Sequence, residues 1–135
     1  MPKILAYKKI TTRITTYTLV EPDTQDETQR ITELCTIDSV TYVSIPDGVV
    51  LPDQPECLDI TEATLTDELK AAIKVASPHV QLIDQRVSDM IRKQYSVNDE
   101  FKMLRLAPSE ESALYNDYVE ECRAWGRLEK GKLGL

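Results

Sequence analysis

Glu33-Leu34-Cys35-Thr36-Ile37-Asp38-Ser39-Val40-Thr41-Tyr42-Val43-Ser44-Ile45-Pro46 decides the fold class. It reads as two short strands around Asp38-Ser39, a turn-compatible pair that lacks the favoured glycine at its second position. Tyr42 faces opposite to Val43 and Ile45, so both faces of the resulting sheet have cover. On the N-terminal side, Ile10 to Val20 is a further strand candidate with imperfect alternation, ended by Glu21-Pro22-Asp23. The polar stretch from Asp23 to Arg30 reads as a loop. On the C-terminal side, Pro46, Pro52 and Pro55 leave an extended segment poor in backbone donors. This half therefore carries about three strands, and residues 46–58 form a proline-rich linker or a segment laid along another surface.

Beyond residue 66 the composition changes. All 13 threonines lie at or before Thr66, and the residues that follow are dominated by Ala, Leu, Glu, Lys and Arg. Thr, Val and Ile suit strands, whereas the second group suits helices. Four helix starts are legible. Thr66-Asp67-Glu68 is a cap with acids in its first turn, and Ser77-Pro78 pairs a cap with proline at the first helical position. Ser96 and Ser109 open two more. The second helix carries Val80, Ile83, Val87 and Met90, and the fourth carries Tyr115, Tyr118, Cys122 and Trp125, both at spacings of 3, 4 and 3. The third carries Val97, Phe101 and Leu104 and closes before Pro108. Gly126, Gly131 and Gly134 predict a frayed end to the fourth. Strands followed by helices define an α+β chain, divided here as a strand-rich docking module, 1–58, and a helical module, 59–135.

The chain has 135 residues, 16 basic and 23 acidic, for a formal charge of −7. Residues 1–65 hold 5 basic and 11 acidic side chains, and residues 66–135 hold 11 and 12, so the acidity belongs to the strand-rich half. An acidic chain without a basic block is a poor phosphate-backbone binder, so no nucleic-acid partner is expected. No apolar run approaches the length of a membrane span, so no membrane partner is expected either. The opening residues have too short an apolar core for a signal peptide. Cys35, Cys57 and Cys122 cannot all pair and show no CxxC spacing, so they read as reduced thiols in a cytosolic setting.

Little in the chain points to catalysis. His79 is the single histidine and sits at a helix start, where the helix dipole disfavours a cation. Neither Cys35 nor Cys57 has a basic neighbour in sequence to lower its pKa, and Cys122 lies on an apolar stripe. Asp67/Glu68, Asp99/Glu100 and Glu110/Glu111 each follow a cap residue, and dipole compensation accounts for all three pairs. Asp23, Asp26 and Glu27 lack the glycine-bearing spacing of a calcium loop. With four glycines there is no phosphate-cradling loop. The expectation is a non-enzyme with no cofactor and no metal. What remains is packing surface. The two 3-4-3 stripes pack on each other or serve self-association, and Tyr42, Val43, Ile45, Val50 and Leu51 are candidates for docking on a partner. A strand-rich half of about three strands is thin for an independent core, which favours such docking.

Glu33 to Pro46 with Leu51-Pro52-Asp53-Gln54-Pro55, then Ile91 to Arg105, then Tyr115 to Arg127, together resemble small proteins of the tail and tail-fibre regions of tailed bacteriophages. The most specific part is Arg92-x-x-Tyr95-Ser96-x-x-Asp99-Glu100-x-x-x-Leu104-Arg105, followed by a tyrosine-bearing helix and a Lys/Gly tail. The resemblance implies a structural role in the baseplate or fibre attachment. It implies other tail, fibre or baseplate proteins as partners, several symmetric copies (a homo-oligomer such as a trimer), synthesis in the host cytoplasm and residence in the virion tail. The alternative is a fibre-assembly chaperone that leaves before the particle is finished. No catalytic residue is carried over.

Overall fold

A computed structural model describes residues 2–135. The chain is α+β, with its strands first and its four helices after them. It divides into two compact units. The first comprises residues up to His79 together with Gly131–Leu135, and the second is Val80–Lys130.

The first unit is built on an antiparallel sheet of β1 (Lys3–Tyr7), β4 (Thr32–Ile37), β5 (Val40–Ile45) and β6 (Thr61–Glu62), in the order β4-β5-β1-β6. A separate two-stranded ribbon pairs β2 (Ile10–Thr11) with β3 (Thr16–Tyr17). The hairpin read around Asp38-Ser39 is present. Ile37 pairs with Val40, and both turn residues take positive φ, 50° and 69°. That backbone matches the twist of the strands but places two Cβ atoms in the left-handed region. Ser39→Gly is therefore expected to raise stability by up to about 1 kcal/mol, measured as a higher denaturant midpoint with unchanged slope.

Successive residues of β1 enter different cores, as strand alternation requires. Tyr7 joins Leu19, Ile31, Val43, Ile45 and Leu58 on one face of the sheet, with Leu5 packed against them. On the other face Ile4 joins Leu34, Cys35 and Ile73. Ile73 comes from α1 (Asp67–Ala76), capped by Thr66, whose side chain accepts from the Leu69 amide at 3.1 Å. Leu133 and Leu135 of the C-terminal tail also pack on this second cluster.

These contacts correct two sequence expectations. The division at 58/59 is replaced by one at 79/80, because β6 pairs with β1 and α1 lies on β4. The helical half does not begin where the proline-rich segment ends. The frayed C-terminus is also replaced. The last helix, α4 (Glu110–Lys132), runs past Gly126 and Gly131, and the tail after it packs on the sheet. Gly134 turns there at φ +84°, with the site of a Cβ 3.2 Å from the Pro2 carbonyl oxygen.

The second unit contains most of α2 (Pro78–Gln94), then α3 (Val97–Leu106), then most of α4. Ser96 caps α3 in a reciprocal box. Its hydroxyl accepts from the Asp99 amide at 3.1 Å, and the Asp99 carboxylate accepts from the Ser96 amide at 2.9 Å. These bonds hold the Asp99 carboxyl below its ordinary value.

Candidate functional site

The two stripes read from the sequence both lie in the second unit. Val80, Ile83 and Cys122 are buried, and Val87, Met90, Tyr115, Tyr118 and Trp125 are half-buried. The stripes meet at two places. The Tyr118 hydroxyl donates to the Met90 carbonyl at 2.6 Å. At Gly126, which is buried, the position of a Cβ would lie 2.7 Å from Val87 Cγ2 and 3.9 Å from Ile83 Cγ2. Only a residue without a side chain allows α4 this approach to α2. Composition alone marks Gly126 as a helix breaker, so its packing role is not legible in the sequence. The stripes thus face each other inside one chain rather than presenting an open self-association seam.

An aromatic and charged cluster joins the three helices of this unit. The Tyr95 ring, just after α2, stands edge-on to Tyr115 with centroids 4.9 Å apart and tilts against Tyr118 at 5.8 Å. The Tyr115 hydroxyl donates to Glu100 Oε1 at 2.8 Å, and Arg92 Nη1 lies 3.0 Å from Glu100 Oε2. Glu100 is the hub, one carboxylate serving a residue from each neighbouring helix. The Tyr115 bond, followed by the Arg92 contact, holds its carboxyl below the ordinary 4.5. Burial, then Glu100, pushes the Tyr115 phenol up.

A folded pKa below the unfolded one means that these bonds stabilise the unit above pH 4.5 and are lost as pH falls through the depressed value. Glu100→Gln is expected to flatten the acid side of the stability profile below about pH 5, read by chemical denaturation from pH 3 to 7.

In the first unit the docking candidates separate. Val43 and Ile45 are buried in the sheet's own core, and Leu51 packs on the same cluster. Tyr42 is half-buried against the Ile73 side. These four are corrected to core and core-flanking positions, because both sheet faces are covered within the chain. Val50 alone stands free, 85% exposed.

Other apolar side chains are displayed to solvent instead. Val97, Phe101 and Leu104 form one stripe of α3, and Phe101 and Leu104 are 58% and 70% exposed. The stripe is legible in the sequence, but its exposure is not. The inward side of α3 is set by Glu100 and by Met103, which are half-buried, and that turns the apolar stripe outward. On the ribbon of the first unit, Ile14 is 95% exposed at the turn.

The groups suited to chemistry stay apart. Cys35 and Cys122 are buried, and burial pushes the Cys35 thiol up. Exposed Cys57 lines an open cavity of about 580 Å³ with Lys8, Ile10, Val40 and Asp59. Lys9, at the same cavity, is bound to Glu33 at 2.5 Å, which raises its pKa. His79 is exposed. Among the described residues, no three of His, Cys, Asp and Glu gather as a metal cluster, and no helix is long and apolar enough to cross a membrane.

Fold and surface define a class: an α+β chain of two compact units, each displaying apolar side chains. Comparison with protein families, characterised proteins and solved structures gives no match.

Proposed function

We propose that this chain is a non-enzymatic structural component of a phage tail, acting at the baseplate or the tail-fibre attachment through protein contacts. The observation that carries the reading is the outward stripe of Val97, Phe101 and Leu104 on α3, within the segment whose sequence resembles tail-region proteins. Three large apolar side chains on one exposed helix face favour a partner that removes them from water. On this reading the neighbour is another tail, fibre or baseplate subunit, and the chain resides in the virion after synthesis in the host cytoplasm.

Quantitative mass spectrometry of purified virions tests the proposal. Recovery of the chain in a fixed ratio to a tail subunit is the expected result. Presence in infected-cell lysate with loss from purified particles would overturn it in favour of an assembly chaperone.

A further inference from the structure

We propose that the apolar stripe of α3 receives the Val50 loop of a second copy of this chain, a head-to-tail contact between two different surfaces. It rests on the reading of that stripe as a docking face and names its occupant.

The stripe has a charged border of one sign. Val97, Phe101 and Leu104 follow spacings of 4 and 3, and Asn98, Lys102 and Arg105 repeat those spacings one residue on. The second row lies beside the first on the helix surface, and all six residues are exposed. The acids of α3 are committed elsewhere. Asp99 closes the Ser96 cap, and Glu100 binds Tyr115 and Arg92. The border is therefore basic, and Arg105 has no ion-pair partner among the described residues. The occupant that complements it is an apolar side chain set among carboxylates.

The chain itself carries such a surface. Between Arg30 and Lys70 there are nine Asp or Glu and no Lys, Arg or His, so no base lies near the middle of that span in sequence. There Val49 and Leu51 pack on the sheet cluster, which turns Val50 between them out to solvent. Asp47 and Asp53, three residues to either side, are exposed as well. The loop is held at both ends. The Val49 amide donates to the Pro46 carbonyl at 3.3 Å across Gly48. The Val20 amide donates to Gln54 Oε1 at 2.7 Å, and Gln54 Nε2 donates to the Val20 carbonyl at 2.9 Å. A loop fixed in this way loses little conformational freedom on docking.

Two copies each carrying a formal −7 repel over most approaches. The basic border of one copy against the base-free span of the other is the approach that charge favours. Because the two surfaces differ, association closes into a ring or continues as an open chain.

Sedimentation velocity of the full chain across concentration tests the contact, with circular dichroism to confirm that each variant is folded. Association that rises with concentration and weakens with added salt is expected. Val50→Glu and Phe101→Glu, both at exposed positions, should each weaken it about tenfold or more. An equal mixture of the two variants should form a 1:1 complex and nothing larger, because each retains the surface that the other lacks. A monomer at every concentration, association unchanged by Val50→Glu, or a mixture that stays monomeric would each overturn the proposal. A monomer in solution beside recovery in fixed ratio from virions overturns this contact alone. A 1:1 mixture beside loss of the chain from virions overturns the tail reading alone.

Discussion

Ile73→Ala is expected to lower the stability of the sheet unit by about 3 kcal/mol. Ile73 is 0% exposed and is the buried residue by which α1 joins the cluster of Ile4, Leu34 and Cys35, with half-buried Leu69 of the same helix packed against it. Truncation to alanine removes three carbons from a site bounded by two strands and a helix, so the cavity cannot collapse without moving one of them. The loss therefore combines transfer and cavity contributions. Val75, on the same helix, is 76% exposed and supplies the control, since its truncation should cost less than about 0.5 kcal/mol. Equal losses at the two positions, measured by urea unfolding, would show that α1 does not pack on the sheet in solution.

That prediction depends on a boundary the sequence conceals. The threonine limit at Thr66 marks the change from strand to helix, and the change from one compact unit to the next comes 13 residues later, at 79/80. Composition reports the local preference of the backbone, while unit membership follows from which core a side chain enters. Ile73 has helical spacing but buries its side chain on a sheet.

Elements with local chemistry are the legible ones. Thr66 and Ser96 cap their helices by accepting from the Leu69 and Asp99 amides, and Asp38-Ser39 turns as read. Nonlocal elements escape. Lys3–Tyr7 alternates between two cores, so its apolar residues run together as Ile4-Leu5-Ala6-Tyr7 without a period-2 pattern. Thr61–Glu62 is a two-residue strand defined only by its pairing with β1. The long candidate Ile10–Val20 folds back at Arg13-Ile14 into a ribbon, which its uniform β-branched composition does not disclose. For the candidate site, the tyrosines and both stripes are recognisable at their positions. The exposure of the α3 stripe is not, because periodicity locates an apolar face without naming what covers it.

Gly126 carries the other large expected effect. Gly126→Leu should destabilise the helical unit by about 3 kcal/mol or more, because even the first atom of the new side chain would lie 2.7 Å from Val87 Cγ2. Val87 cannot rotate aside cheaply, since a β-branched side chain in a helix holds one dominant rotamer. Gly126→Ala sets two effects in opposition. Replacing glycine inside a helix contributes up to about 1 kcal/mol of stability, and overpacking costs about 1–3 kcal/mol. A net loss is expected because Gly126 is buried and Ile83 also lies against it. Val87→Ala removes the offending methyl group, so Gly126→Ala/Val87→Ala should recover stability relative to the sum of the two single losses. The coupling in that double-mutant cycle reads the approach of α4 to α2 directly. Gly131 is the comparison within the same helix. Apart from the adjacent residues and the helix's own backbone, no atom lies within 4 Å of a Cβ there, so Gly131→Ala should gain helix stability where Gly126→Ala loses it. Equal gains at both glycines would mean that the two helices do not approach at Gly126.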